Sequence, residues 1–261
     1  MESARFLDGR WTIDRRAKIR DGRDALRDGL RDQNLGQFGF IALMATTLFV
    51  TMTAAGKNVL SFDVSIAQAV QRSGIPGLAE MASFVSVSGG TTATLVVATA
   101  VLVWLVRSGH YVAMVPVAAA IALRAGNAVI KTTADSPRPT AEFVQKLETP
   151  AGFGFPSAHV MGVVLLYGVI GILAHELIAP RFARLAVQTV AIGMILIVGP
   201  GRVYTGAHWP TDVLGAYLFG ALFLIPVIVG YRTLRDTLPE RISLPRPVSV
   251  LRFSGLPVTR K

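Results

Sequence analysis

The chain contains no cysteine. That excludes disulfides, thiolate metal sites and a cysteine nucleophile. Acidic residues are few, 16 Asp and Glu against 26 Lys and Arg, for a formal net charge of +10. Charge of either sign makes up only 16% of the 261 residues, against 52% apolar residues, and is scarcest through the middle of the chain. Ten-residue segments of alternating polarity are missing, which argues against a membrane β-barrel. No apolar run precedes Phe38, so a cleaved signal peptide is not expected. Internal repeats and low-complexity tracts are also missing.

What the chain has instead is a series of apolar runs close to the ~20 residues needed to cross a ~30 Å hydrocarbon core. Six spans are expected, at about 38–55, within 81–106 and starting near Thr91, then 111–131, 159–174, 185–198 and 211–229. The fold class is therefore all-α, an integral membrane bundle of six helices. Between the first two spans, Asp63 to Arg72 reads as a short amphipathic helix, with Ile66, Ala69 and Val70 at helical spacing. Gly and Pro punctuate 137–156 and 199–210, which read as loops. Three regions follow: a charged segment 1–37, a membrane domain 38–230 and a basic tail 231–261. The first segment reads equally as an interfacial helix or as a solvated stretch.

The positive charge suggests a nucleic-acid partner at first sight. In residues 1–37, however, seven acids interleave nine bases and blunt the field. The positive-inside rule accounts for the excess, and no nucleic-acid partner is expected. With six spans, 19 Lys and Arg fall on the side that holds both termini and six on the other. The chain is thus expected in the cytoplasmic (inner) membrane, multi-pass, with both termini cytoplasmic.

Three polar clusters interrupt this apolar sequence: Lys131 with Arg138-Pro139; Pro156-Ser157-Ala158-His159; and Arg202, His208 and Asp212. Lys131 ends the third span, His159 opens the fourth, Arg202 follows the fifth and Asp212 opens the sixth. Counting helices puts all of them at one membrane face, the extracytoplasmic one. Their chemistry is that of a phosphate site. Arg offers planar two-pronged donation and Lys a compact charge. Ser157 opens a helix whose free N–H groups favour an anion. His208 with Asp212 four residues on fits a nucleophile and its orienter. His159 is placed to protonate a leaving oxygen. Such a set can bind and attack a phosphoryl group without a metal, so neither metal nor cofactor is expected.

Lys131-x6-Arg138-Pro139, Pro156-Ser157-Ala158-His159 and Arg202-x5-His208-x3-Asp212 resemble the three signature motifs of the type 2 phosphatidic acid phosphatase superfamily. The resemblance implies a phosphohistidine intermediate on His208, oriented by Asp212, and leaving-group protonation by His159. It implies phosphate binding by Lys131, Arg138, Ser157, Ala158 and Arg202. Candidate substrates by the same analogy are lipid phosphomonoesters such as phosphatidic acid and phosphatidylglycerophosphate, and polyprenyl diphosphates such as undecaprenyl diphosphate. Two positions depart from the family pattern: Ala158 stands where glycine is common, and Gly201 where serine usually precedes the arginine. Alternatives of use are a phosphotransferase with the same intermediate, and a non-catalytic lipid-phosphate binding or transport protein.

Arg124 lies two helical turns before Lys131, with Asn127 between them, so the three share one face of the third span. A cation that deep faces the bundle interior. It serves either as part of a polar stripe below the phosphate site or as a structural hydrogen bonder between helices. His110 and His175 fall toward the other face and receive no role. Trp104, Tyr204 and Trp209 read as interface or packing aromatics.

Overall fold

The structure, a computed structural model, describes residues 4–7, 10–13, 15–56 and 59–238, with side chains from residue 34 onward. Two units separate by their internal contacts, Met1–Phe49 and Val50–Lys261. In the first, strands β1 (Ala4–Leu7) and β2 (Arg10–Ile13) form an antiparallel hairpin with Phe6 opposite Trp11. Helix α1 (Arg15–Ala54) follows, and its part Asn34–Ala54 is long and apolar enough to cross a membrane. The charged stretch and the first span are therefore one continuous helix across residue 37. Whether the side chains of residues 1–33 form an amphipathic face lies outside the described residues, as does the basic tail beyond residue 238.

The second unit holds α2 (Ser61–Arg72), α3 (Leu78–Ser88), α4 (Thr91–Ser108), α5 (Met114–Ala134, entered through a 3-10 turn at Tyr111–Ala113), α6 (Ala158–Leu177), α7 (Arg181–Tyr204) and α8 (Pro210–Thr237). With α1, that makes six helices long and apolar enough to span a membrane, as expected. Helix α6 is the hub. It packs against α4, α5, α7 and α8, and 61% of its span is buried, against 28% or less for the others. Its Val160, Met161, Val163, Leu165 and Val169 are fully enclosed. The outer faces carry exposed Val96, Val129, Ile192, Leu196 and Val229, a surface suited to lipid. Lipid tails are as apolar as these side chains. Close packing and interhelical hydrogen bonds therefore hold such a bundle, more than the hydrophobic effect does.

The second span starts at Thr91, as expected, and Leu78–Ser88 before it is a separate helix, α3, turned from α4 at Gly89-Gly90; its 11 residues are too few to span. Two other spans end later than expected. The sixth span runs on to Thr237. The fifth does not stop at Gly199-Pro200 but continues to Tyr204, which puts Arg202 inside a helix rather than in a loop. Proline removes a backbone donor and crowds the preceding turn. Here the Tyr217 hydroxyl from α8 fills the opening: it donates to the Ile195 carbonyl at 2.6 Å and accepts from the Gly199 N–H at 3.1 Å. A side chain inserted into the ladder lets the helix bend and continue.

Helix α2 is anchored by a buried carboxylate. Asp63 accepts from the Thr211 N–H at 2.9 Å and from the Thr211 hydroxyl at 2.5 Å, at the start of α8. Burial pushes the Asp63 carboxyl above its ordinary range, and the two Thr211 bonds oppose that rise.

Candidate active site

The third cluster is built by the first turn of α8. Trp209 is the N-cap, and its N–H donates to Asp212 Oδ2 at 3.0 Å. That bond is the N3 half of a capping box. It points the fully buried Asp212 carboxylate back along the chain, where Oδ2 meets His208 Nδ1 at 3.2 Å. The other ring nitrogen, Nε2, lies 3.2 Å from Arg138 Nη1. A guanidinium only donates. Nδ1 therefore carries the hydrogen toward Asp212, and Nε2 keeps its lone pair on the side of the cations; this tautomer is assigned from the bonding network. Burial holds the His208 imidazole well below its ordinary range, and Arg138, Lys131, Arg202 and His159 push the same way. These effects favour the neutral ring.

The first cluster closes over it. Lys131, in the last turn of α5, donates to the carbonyls of Phe153 at 2.7 Å and Gly154 at 3.0 Å. Arg138 donates to Gly152 and Ala207 carbonyls, both at 2.8 Å, and to Ala151 at 3.3 Å. The second cluster joins through the backbone: the Ser157 N–H donates to the Asp212 carbonyl at 3.1 Å. Ser157 is the N-cap of α6, as its place before the apolar run suggests, and its hydroxyl accepts from Val160 N–H at 3.5 Å. Ala158 is the first residue of α6. The ring of His159 packs on the Gly89-Gly90 turn, against the Ser86 backbone.

Arg202, 1% exposed, reaches the site from within α7. Its Nη1 donates to Ser86 Oγ at 2.7 Å and pairs with Glu148 Oε2 at 2.8 Å, while its Nε is buried without a partner. The Ser86 hydroxyl donates to Glu148 Oε1. The structure thus brings Lys131, Arg138, Ser157, Ala158, His159, Arg202, His208 and Asp212 into one neighbourhood from four helices and two loops. Sequence reasoning missed Glu148 and Ser86. Glu148 left one faint sign, a carboxylate in the loop between two cationic motifs of an acid-poor chain. Ser86 left none.

Arg124 and Asn127 do share the α5 face that meets α6. The bonds of Arg124 go to the Ala158 carbonyl at 3.1 Å, the Gly89 carbonyl at 3.4 Å and Thr91 Oγ1 at 3.0 Å. Gly162 makes room for it: a Cβ there would sit 2.0 Å from Arg124 Nη1. Asn127 Nδ2 donates to Met161 Sδ at 3.5 Å, and its Oδ1 is buried without a partner. Arg124 therefore ties α5 to the α3–α4 turn and to the start of α6. Among the described residues, no three His, Asp or Glu side chains converge as a metal site would need.

The site is thus a set of cations and a His–Asp pair gathered at the ends of long apolar helices. The family model described as the PAP2 superfamily matches residues 110–236, a region that contains all three clusters. That match agrees with the resemblance of the motifs. The chain is 34% identical over 79 residues to phosphatidylglycerophosphatase B of Bacillus subtilis (strain 168). Those residues are 30% of this chain and 38% of that relative's length. A crystal structure described as the first transmembrane PAP2 type phosphatidylglycerolphosphate phosphatase from Bacillus subtilis superposes with a TM-score of 0.65. It covers 77% of this chain and 98% of its own, at 22% identity; at that identity it speaks for the fold.

Proposed function

We propose that this chain is a membrane phosphatase for a lipid phosphomonoester or polyprenyl diphosphate, working through a phosphohistidine on His208 and without a metal. The observation that carries the reading is the line Arg138–His208–Asp212. It presents a neutral imidazole with its lone pair toward the cations and its proton toward a carboxylate.

A terminal phosphoryl group replaces the contact between Arg138 and Nε2. Its non-bridging oxygens take hydrogen bonds from Lys131, Arg138 and Arg202, with the Ser157 hydroxyl and the free N–H groups at the start of α6 contributing. Nε2 attacks phosphorus, the P–N bond forms, and the P–O bond to the lipid breaks. His159 gives its proton to the departing oxygen. Asp212 stabilises the charge that appears on the imidazole. Water then attacks phosphorus, His159 takes its proton, and the P–N bond breaks to release inorganic phosphate. The lipid tail lies along the apolar outer faces of the helices. Charge bias in the loops supports an extracytoplasmic site with cytoplasmic termini. Similarity to phosphatidylglycerophosphatase B supports phosphatidylglycerophosphate as the first substrate to try.

The test is phosphate release from a panel of lipid phosphates and diphosphates in detergent, by wild type and by His208→Ala. Wild type should release phosphate from at least one substrate, and His208→Ala should fall by at least a thousandfold. Equal rates from the two proteins would leave a binding or transport protein. Phosphate appearing on an added alcohol in preference to water would make it a phosphotransferase.

A further inference from the structure

Arg202 is met by a residue that belongs to none of the three clusters. Ser86 sits on α3, and its hydroxyl accepts from Arg202 Nη1 at 2.7 Å while donating to Glu148. Its backbone lies against His159. One short helix therefore touches groups from the second and third clusters at once.

The reason that α3 comes so close is Gly201. A Cβ at that position would lie 2.3 Å from Val85 Cγ2 and 3.3 Å from Ala82 Cα. Val85 is fully buried in the middle of α3 and has no free end to swing away. Any side chain at 201 would push α3 off α7 and take Ser86 with it. The glycine removes a hydroxyl from α7, and the contact that it permits brings one in from α3.

Two further observations show an acceptor position here. Arg202 Nε is buried and unpartnered. Glu148, which pairs with the same Nη1 that meets Ser86, has 31% of its side chain exposed. It occupies the place where an anion would bind and has solvent to retreat into. A phosphate dianion and a carboxylate on one guanidinium repel each other.

We propose that Ser86 is a phosphate-binding residue of this chain. When a phosphoryl group reaches Arg202, Glu148 withdraws and the Ser86 hydroxyl turns its hydrogen bond from the carboxylate to a non-bridging oxygen. This rests on the phosphatase reading for the identity of the anion, not for the role of Ser86.

The experiment measures inorganic phosphate as a competitive inhibitor of the detergent-solubilised full chain, with KM, kcat and thermal midpoint, for wild type, Ser86→Ala, Ser86→Thr and Glu148→Gln. Loss of one hydrogen bond to a charged oxygen should raise the Ki and KM of Ser86→Ala about tenfold, with a smaller change in kcat. Ser86→Thr keeps a hydroxyl and should return Ki to within about threefold of wild type. Glu148→Gln removes the competing charge and should lower Ki. A merely structural serine would move the thermal midpoint and leave Ki alone. Ser86→Ala with Ki within about twofold of wild type overturns the proposal. Should Ser86→Ala not fold, Ser86→Cys has the same shape and a weak donor, and an unchanged Ki there overturns it equally. If wild type hydrolyses no ester, calorimetric phosphate binding by wild type and Ser86→Ala still decides: weaker binding by the variant upholds Ser86 while the phosphatase reading falls, and equal binding sinks Ser86.

Discussion

Removing the carboxylate of Asp63 should damage the site from about one helix away. Asp63 accepts two hydrogen bonds from Thr211 and is 2% exposed. It also puts negative charge at the N-terminus of α8, where the helix dipole favours it. Asp63→Ala leaves the Thr211 N–H and hydroxyl as buried orphans, at about 1–3 kcal/mol each, or roughly 2–6 kcal/mol for the pair. Asp63→Asn keeps the acceptor for the N–H, and its amide can donate to the Thr211 oxygen. It should cost only about 1 kcal/mol for the lost charge assistance. Thr211 directly precedes Asp212, so loosening that first turn should misplace the His208–Asp212 bond. We expect kcat of Asp63→Ala to fall by more than tenfold with KM within threefold, alongside faster thermal inactivation in detergent. Asp63→Asn should stay within about threefold in kcat. Phosphate-release kinetics and inactivation half-lives measure both. Asp63→Ala with wild-type kcat and half-life would refute the reasoning, because it would show that α8 holds its first turn without α2.

Arg124→Gln removes most of a three-way tie between helices; thermal stability in detergent should drop, while folded protein should keep KM and kcat within about threefold. Because burial and surrounding cations hold His208 below its ordinary value of about 6.5, the neutral nucleophile persists as pH falls through 6.5. The acid limb of kcat/KM should lie below that value and move upward in Arg138→Gln; a limb at or above 6.5 in wild type contradicts the assignment. The same depression makes stability fall with acidity below about 6.5, where the unfolded chain takes up a proton that the folded one refuses. Since the chain has no cysteine, Ala141→Cys, in the exposed loop after Arg138, gives a single thiol; a membrane-impermeant maleimide should label it from the extracytoplasmic side of intact cells, and labelling only after lysis would invert the topology.

The spans were legible in the sequence because a membrane imposes length and apolarity together. The motifs were legible because histidines, cations and a carboxylate recur there at spacings that helix counting puts at one membrane face. What escaped was set by tertiary partners. Gly199-Pro200 read as a helix end, because nothing local announces the Tyr217 hydroxyl that carries α7 past it. Gly89-Gly90 marked the start of the second span at Thr91, but nothing before it announced Leu78–Ser88 as a helix of its own. Ser86 was one hydroxyl among many until Gly201 drew α3 against α7. Arg124 stands out by its depth and by the face it shares with Asn127 and Lys131; the bonds that it makes depend on Gly162, a neighbour in space with no mark in sequence.

Lys131 and Arg138 rest on the carbonyls of Phe153, Gly154, Gly152 and Ala207. A cation with carbonyls already in hand gains less from an anion than a bare one does, because each new bond displaces an old one. The cradle is therefore self-refilling. On the proposed phosphatase reading, the backbone would retake the donors that held inorganic phosphate as it leaves, so the loop itself would assist product escape. The strength of those carbonyl bonds would then cap the affinity for product, and turnover at a strongly positive site need not stall on it.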